Sequence, residues 1–222
     1  MVRRSSTATT QRGFPRWAWI VVAAAAVIAL VGGVAAWYQA NPQTSSPAAA
    51  PSATSDVAAT PSGCLAGKSN DATGLLKAQK EAPHSEAGAV GFAAAVLRWI
   101  AQYPRPSVAD GTRVSGTILA EGATGTVANL AANLAAAKPL PGVNSGSVNF
   151  ADGRFAIEES TADMVRVTVG GTEVRNGKPT GQKIASTVTV VWEENSWKVR
   201  SDGTERTLDE LFADGSAFSG GC

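Results

Sequence analysis

The chain has 222 residues, a length typical of one folded domain with additional segments. Its formal net charge of +1 comes from 19 basic and 18 acidic residues that are unevenly placed. Residues 1–16 hold four arginines and no acid, so the remainder carries 15 basic residues against all 18 acids. Because no basic stripe remains there, the composition argues against a nucleic-acid-binding surface.

Residues 17–38, from Trp17 to Tyr38, are uncharged and predict a transmembrane helix. At 1.5 Å per residue they span roughly 33 Å, enough for a hydrocarbon core of about 30 Å. Aromatic residues at both ends suit the headgroup level, and the arginines place residues 1–16 in the cytoplasm. The alternatives are a buried core helix and a signal peptide cleaved near Val34-Ala35-Ala36. The length of the stretch and its aromatic outer end favour an uncleaved anchor.

Residues 39–63 are rich in Pro, Ala, Ser and Thr and nearly free of large apolar side chains. Such a segment cannot bury enough apolar surface to offset the entropy of ordering it. We therefore predict a tether, which as a flexible chain would reach about 25–30 Å from the bilayer.

Cys64 and Cys222 are the two cysteines of the chain, and they bracket residues 64–222, the predicted exported domain. Because thiols oxidise outside the cytoplasm, this even pair predicts a disulfide, with two unpaired thiols as the alternative. The chain-entropy account assigns so long a closed loop roughly 5 kcal/mol as an upper figure.

Helical patterns come first in this domain. Residues 71–81 hold Asp71 before a pattern that predicts a short helix, and Ser85 is a good N-cap for an apolar helix that we predict from Glu86 to Tyr103. Proline stops this helix at residue 104, and its apolar girth predicts that other elements surround it. Residues 114–137 contain two weaker helical patterns, which end at Pro139.

Strand patterns follow from Gly146. Apolar residues alternate around Phe155 and again through residues 165–169, and residues 184–192 are rich in β-branched side chains. Residues 194–196 form a turn that predicts a hairpin between Trp192 and Trp197. Helices followed by an antiparallel meander predict an α+β domain. We expect the acids Asp202, Glu205, Asp209, Glu210 and Asp214 to form a solvated acidic tail.

The helix at 86–103, the helical stretch to Ala137 and the strands ending in VTVVWEENSWKV resemble the cone-shaped fold of nuclear transport factor, shared with SnoaL-like and cystatin-like domains. The resemblance implies helices packed in a curved antiparallel sheet. It also implies a pocket between the sheet and the helix, with Phe92, Trp99, Phe155 and Trp192 as its candidate lining.

The order of arm, anchor, tether and exported domain is similar to the inner-membrane scaffold subunit of type IV secretion and conjugation machines, and to its Gram-positive relatives, the TcpC family. This resemblance implies a non-enzymatic assembly component whose partners are the membrane, other subunits of a complex and further copies of itself. Membrane proteins associated with mycobacterial lipid uptake have a similar plan, which leaves an exported ligand-binding protein as the alternative. The Ala-, Gly- and Thr-rich, Lys-poor composition is typical of a GC-rich actinobacterial genome.

The sequence offers no motif for catalysis, a cofactor or a metal. The lone histidine, His84, precedes a helix cap and is expected to be a solvated loop residue. The stretch GCLAGKS, Gly63 to Ser69, resembles a phosphate-binding loop but is one residue short between its glycines. Arg98 is the unexplained charge of the apolar helix: either a carboxylate such as Asp163 pairs with it, or its head reaches solvent.

Overall fold

The structure is a computed structural model that describes residues 59–222. Within that range five α-helices and a 3-10 turn accompany five strands. The helices are α1 (Ala72–Glu81), α2 (Glu86–Ile100), α3 (Val108–Ile118), α4 (Leu130–Ala136) and α5 (Leu208–Asp214), with the 3-10 turn at Val127–Asn129. The strands are β1 (Gly146–Ser160), β2 (Met164–Arg175), β3 (Lys178–Glu193), β4 (Ser196–Gly203) and β5 (Ser216–Ala217).

The predicted helix starts of α1 and α2 are confirmed. The side chain of Asp71 accepts a hydrogen bond from the backbone N–H of Gly74, and that of Ser85 accepts one from Gly88. Helix α2 ends at Ile100, three residues before the predicted end. The reason is that the residue before a proline avoids the helical region. Tyr103 instead exchanges two backbone hydrogen bonds of 2.8 Å with Gly146, at the start of β1.

Helix α3 begins six residues earlier than predicted. Ser107 caps it by accepting a hydrogen bond from the backbone N–H of Asp110, a signal that the apolar pattern alone does not give. The second pattern becomes a 3-10 turn followed by the two turns of α4. Immediately after α3, Ala120 donates a backbone hydrogen bond of 2.9 Å to Val199, which fixes this helix to β4.

The strands form one curved antiparallel sheet in the order β4-β3-β2-β1-β5, which confirms the predicted α+β class. Sequential strands pair with each other, as expected for hairpin connections. Val167 lies between Ile157 of β1 and Val188 of β3, and Trp192 pairs directly with Trp197 across the last hairpin. Register shifts interrupt three of the strand pairs and mark local bulges in the sheet.

Helix α2 is the centre of the hydrophobic core. Residues 88–99 are all buried, and the helix packs against the sheet face that carries Val165, Val167 and Val169. Helices α1 and α3 cover this face further and bury Leu75, Val114 and Ile118. The prediction of a surrounded central helix is therefore confirmed.

The opposite face of the sheet carries α5 and a polar network. Leu211 of α5 is fully buried and lies where a side chain at Gly170 would otherwise be. Beside it the Glu158 carboxylate accepts two hydrogen bonds of 3.0 Å from Arg206 and one of 2.8 Å from the buried Thr168 hydroxyl. The hydrogen bond from Arg206 and the one from Thr168 hold the pKa of Glu158 below its usual value.

The two ends of the described chain are joined in a terminal clasp formed by residues 60–64 and 219–222. Cys64 and Cys222 are disulfide-bonded, with Cα atoms 5.4 Å apart, as the sequence predicts. Two residues that the sequence places in the tether take part: the carbonyl of Pro61 accepts a hydrogen bond from the N–H of Ser219, and the N–H of Gly63 donates one to the carbonyl of Gly220. The clasp lies against Phe150, where a Cβ on Gly221 would be 2.1 Å from the Phe150 carbonyl carbon.

Within residues 59–222, no helix combines the length and the apolar character that a membrane crossing requires. The predicted arm at 1–16, the predicted membrane helix at 17–38 and most of the predicted tether at 39–63 lie outside the described residues.

Candidate binding site

A cavity of about 140 Å³ opens between α2, α4 and the sheet. Its wall comes from five segments: the end of α2, the loop after it, the 3-10 turn with α4, β3 and β4. The lining residues are Val96, Leu97, Ile100, Arg105, Thr126, Val127, Leu130, Asn133, Leu134, Ser186, Val188 and Asp202. We call this space the helix–sheet cavity.

The apolar wall follows from helical spacing. Val96 and Ile100 are four residues apart and lie on one face of α2, and Leu130 and Leu134 do the same on α4. Val188 of β3 closes the floor, two residues from Ser186, so that both side chains point to the same side of the sheet. One end of the helix–sheet cavity is therefore a continuous aliphatic surface.

Asp202 forms the polar end. Its carboxylate accepts a hydrogen bond of 3.1 Å from the backbone N–H of Val127 and another from the Thr126 hydroxyl. Gly125, with φ of +79°, brings the backbone so close that a Cβ there would be 2.3 Å from the Asp202 carboxylate. The loop thus wraps around Asp202. The expectation of a solvated tail acid is wrong for this residue, because it is half-buried and lines the cavity.

Asn133 and Arg105 complete the rim. Asn133 donates a hydrogen bond of 2.7 Å to the carbonyl of Thr126, which holds α4 against the preceding turn. Arg105 is exposed, and within residues 59–222 no carboxylate lies within 4 Å of it. The cavity therefore offers an aliphatic interior, an engaged carboxylate and a guanidinium at the edge, an arrangement suited to holding a small apolar group.

The four residues predicted to line a pocket lie in four different settings. Phe92 is fully buried in the core, and Trp99 borders a small niche next to Arg98. Phe155 lines a separate, open groove near the N-terminus of α2, and Trp192 stacks on His84. None of the four lines the helix–sheet cavity, whose wall is aliphatic and polar and is completed by α4 and β4.

Arg98 has neither of its two expected settings, a paired carboxylate or a head group in solvent. Only 5% of this residue is exposed, and its guanidinium donates to the backbone carbonyls of Gly67 (3.1 Å) and Lys68 (2.8 Å). Burial lowers the pKa of Arg98. Asp163 is instead the partner of His84, whose Nε2 lies 2.9 Å from Asp163 Oδ1 and 3.0 Å from the carbonyl of Ala162.

In the part of the chain that the structure describes, no group of three His, Cys, Asp or Glu side chains is placed to hold a metal ion. Comparison of the chain with known protein families, with curated proteins and with solved structures gives no match.

Proposed function

We propose that this protein is a membrane-anchored, non-enzymatic component of a complex outside the cytoplasm. Residues 17–38 are the anchor, residues 1–16 stay in the cytoplasm, and the domain of residues 64–222 is exported. The observation that carries the proposal is the bond between Cys64 and Cys222, which closes the domain at the point where the tether enters. Disulfides persist in oxidising compartments and are rare in the cytosol.

We also propose that the domain of residues 64–222 has the cone-shaped fold. A buried helix against a curved antiparallel sheet, with four of the five described helices before the strands, supports the cone-shaped type of nuclear transport factor. With the anchor and tether, this plan is similar to the scaffold subunits of conjugation and type IV secretion machines. Fold likeness is a weak guide to function, so the topology and the assembly are tested separately.

Thiol labelling in intact cells tests the topology. In a Cys64→Ser variant Cys222 is the single thiol, and a membrane-impermeant maleimide should label it from outside. The matched control places Ser6→Cys in a Cys64→Ser/Cys222→Ser background, where labelling should require lysis. Labelling of Ser6→Cys in intact cells, with Cys222 protected, would reverse the proposed orientation.

Cross-linking of the full-length protein in its own membranes tests the assembly. We expect products larger than the monomer that contain a second copy or other membrane subunits. Recovery of the monomer alone, at cross-linker levels that capture a known membrane complex in the same sample, contradicts the proposal.

A second candidate function is binding of a small apolar ligand, and the helix–sheet cavity favours it. A cavity of about 140 Å³ with an aliphatic wall is large enough for one benzene-sized group. Native mass spectrometry of the detergent-solubilised protein should then show bound mass that Leu134→Trp removes by filling the space. Ala132→Trp, on the exposed side of α4, is the control and should retain the ligand. Equal spectra for both variants contradict this function.

A further inference from the structure

A second groove lies beside the disulfide, away from the residues that line the helix–sheet cavity. We call it the disulfide groove; it is an open space of about 540 Å³. Its lining residues are Lys68, Asn70, Arg98, Ser147, Val148, Asn149, Gly221 and Cys222. Two cationic residues and three polar ones therefore border the groove, and no aspartate or glutamate is among its lining residues.

Arg98 is the buried charge of this groove. Only 5% of Arg98 is exposed, and its two hydrogen bonds go to neutral carbonyls. No carboxylate, whether of a side chain or of the chain end, lies within 4 Å of it in residues 59–222. A buried cation without a counter-charge is costly, so this guanidinium is prepared for an anion.

The other donors reach the groove from separate segments. Lys68 comes from the turn after Cys64, is exposed, and forms no ion pair in the described part of the chain. Ser147 and Asn149 come from β1. The Asn149 side-chain oxygen already accepts a hydrogen bond of 2.7 Å from Ala151, which leaves its amide N–H groups free to donate.

We propose that the disulfide groove binds a tetrahedral oxyanion, namely a phosphate group. Arg98 and Lys68 supply the positive charge, and Ser147, Asn149 and Asn70 supply hydrogen bonds. A planar carboxylate is satisfied by the fork of a single guanidinium, whereas donors that arrive from α2, β1 and the loop between residues 68 and 70 suit an anion with oxygens in several directions. The role goes beyond the proposed assembly function and does not depend on it.

Binding of the anion is coupled to the terminal clasp. Arg98 holds the carbonyls of Gly67 and Lys68, and the backbone N–H of Gly67 donates 3.0 Å to the carbonyl of Cys64. An anion that fixes Arg98 and Lys68 therefore also fixes the turn next to the disulfide. Because a ligand that binds only the folded state stabilises it, phosphate should raise the unfolding temperature.

The test uses the full-length protein in a detergent without phosphate groups. Inorganic phosphate is titrated against sodium chloride of equal ionic strength, and thermal unfolding and isothermal calorimetry are recorded. We expect a saturable rise of several degrees with phosphate, and no comparable rise with chloride or acetate. Absence of a saturable response, or an equal response to acetate, overturns the proposal.

The variants separate binding from folding. Lys68→Ala changes an exposed side chain and should weaken phosphate binding at least tenfold with little change in unfolding without ligand. Arg98→Gln should abolish binding, although loss of its carbonyl contacts also lowers stability. Lys77→Ala, on the exposed face of α1, is the matched control and should bind as the wild type does. Equal binding by the Lys68→Ala and Lys77→Ala variants overturns the proposal.

An experiment with lipid vesicles distinguishes a lipid headgroup from a soluble ligand as the source of the phosphate group. Phosphatidylglycerol vesicles are compared with neutral galactolipid vesicles, each with and without free phosphate. Competition between phosphatidylglycerol and free phosphate for the Lys68-dependent site supports a lipid headgroup. Binding of free phosphate that vesicles do not displace supports a soluble ligand. Both results support the groove as the site, whereas vesicle binding that Lys68→Ala leaves unchanged contradicts it.

Discussion

The imidazole of His84 stacks on the indole of Trp192, with ring centroids 4.2 Å apart and planes 6° from parallel. Its Nε2 bonds to Asp163 and to the carbonyl of Ala162, so the loop between α1 and α2 is fixed to the turn between β1 and β2. Next to it, the Trp197 indole N–H donates 2.8 Å to the carbonyl of Pro83. The lone histidine of the chain therefore joins the helical layer to one end of the sheet.

We expect His84→Ala to lower the free energy of unfolding by about 1–2 kcal/mol, because it removes an aromatic stack and a partly solvent-exposed hydrogen bond. His84→Phe keeps a stacking ring but not the bond to Asp163, and its loss should be about half as large. Urea unfolding followed by tryptophan fluorescence measures both. Values for His84→Ala within about 0.3 kcal/mol of wild type contradict a joining role.

We expect the Cys64→Ser/Cys222→Ser variant to be less stable by up to roughly 5 kcal/mol, since the cross-link restricts an unfolded loop that spans 158 positions. Denaturant unfolding with and without reductant measures the loss. Reductant should destabilise the wild type and leave the double variant unchanged. Equal stability of the wild type and the double variant contradicts the prediction.

We expect Gly221→Ala to destabilise the protein by about 1–3 kcal/mol, because its methyl group would overlap the backbone at Phe150 and Ala151. Gly220 is the matched control: a Cβ there has no neighbour within 4 Å, so Gly220→Ala should change stability little. The comparison isolates the close approach of the terminal clasp from the general effect of replacing glycine. Similar unfolding midpoints for the two variants would show that the clasp is loosely packed.

We expect the stability supplied by Glu158 to depend on pH. Its pKa is lowered in the folded protein, so its contribution is fully present above the usual glutamate value of about 4.3 and is lost as pH falls through the lowered value. Glu158→Gln should therefore be less stable than wild type at neutral pH, and the difference should disappear in acid. Glu121→Gln, at an exposed position, is the control and should show no such trend. A pH-independent difference for Glu158→Gln contradicts the ionic role.

Local patterns were enough to predict much of the fold. Ser85 and Asp71 are N-caps because their short side chains accept backbone hydrogen bonds, and alternating valines on β2 face the core. Apolar residues on all sides of α2 predicted its central position. By contrast, the start of α3 at Ser107 was missed, because the cap lies beyond the apolar repeat from which the helix was read.

The candidate sites depended on contacts between distant parts of the chain. In the sequence, Asp202 is one of several acids near the end of the chain. In the structure it is enclosed by the turn at Gly125, which lies 77 positions earlier in the sequence. His84 and Asp163 had no visible relation, and the Arg98 charge found carbonyls rather than the expected carboxylate. Aromatic type and helical spacing cannot reveal such pairings, since they do not specify which surfaces meet.

The sequence by itself was enough to predict four helices before the strands, the central apolar helix and a disulfide between the two cysteines. Caps and hydrophobic periodicity are local signals, and two cysteines allow a single disulfide. Only the tertiary structure decided the wall of the helix–sheet cavity, the settings of Arg98 and His84, and the closeness of Gly221 to Phe150. These features arise from long-range packing, in which the space left between elements, rather than the preference of any one segment, selects the contacts.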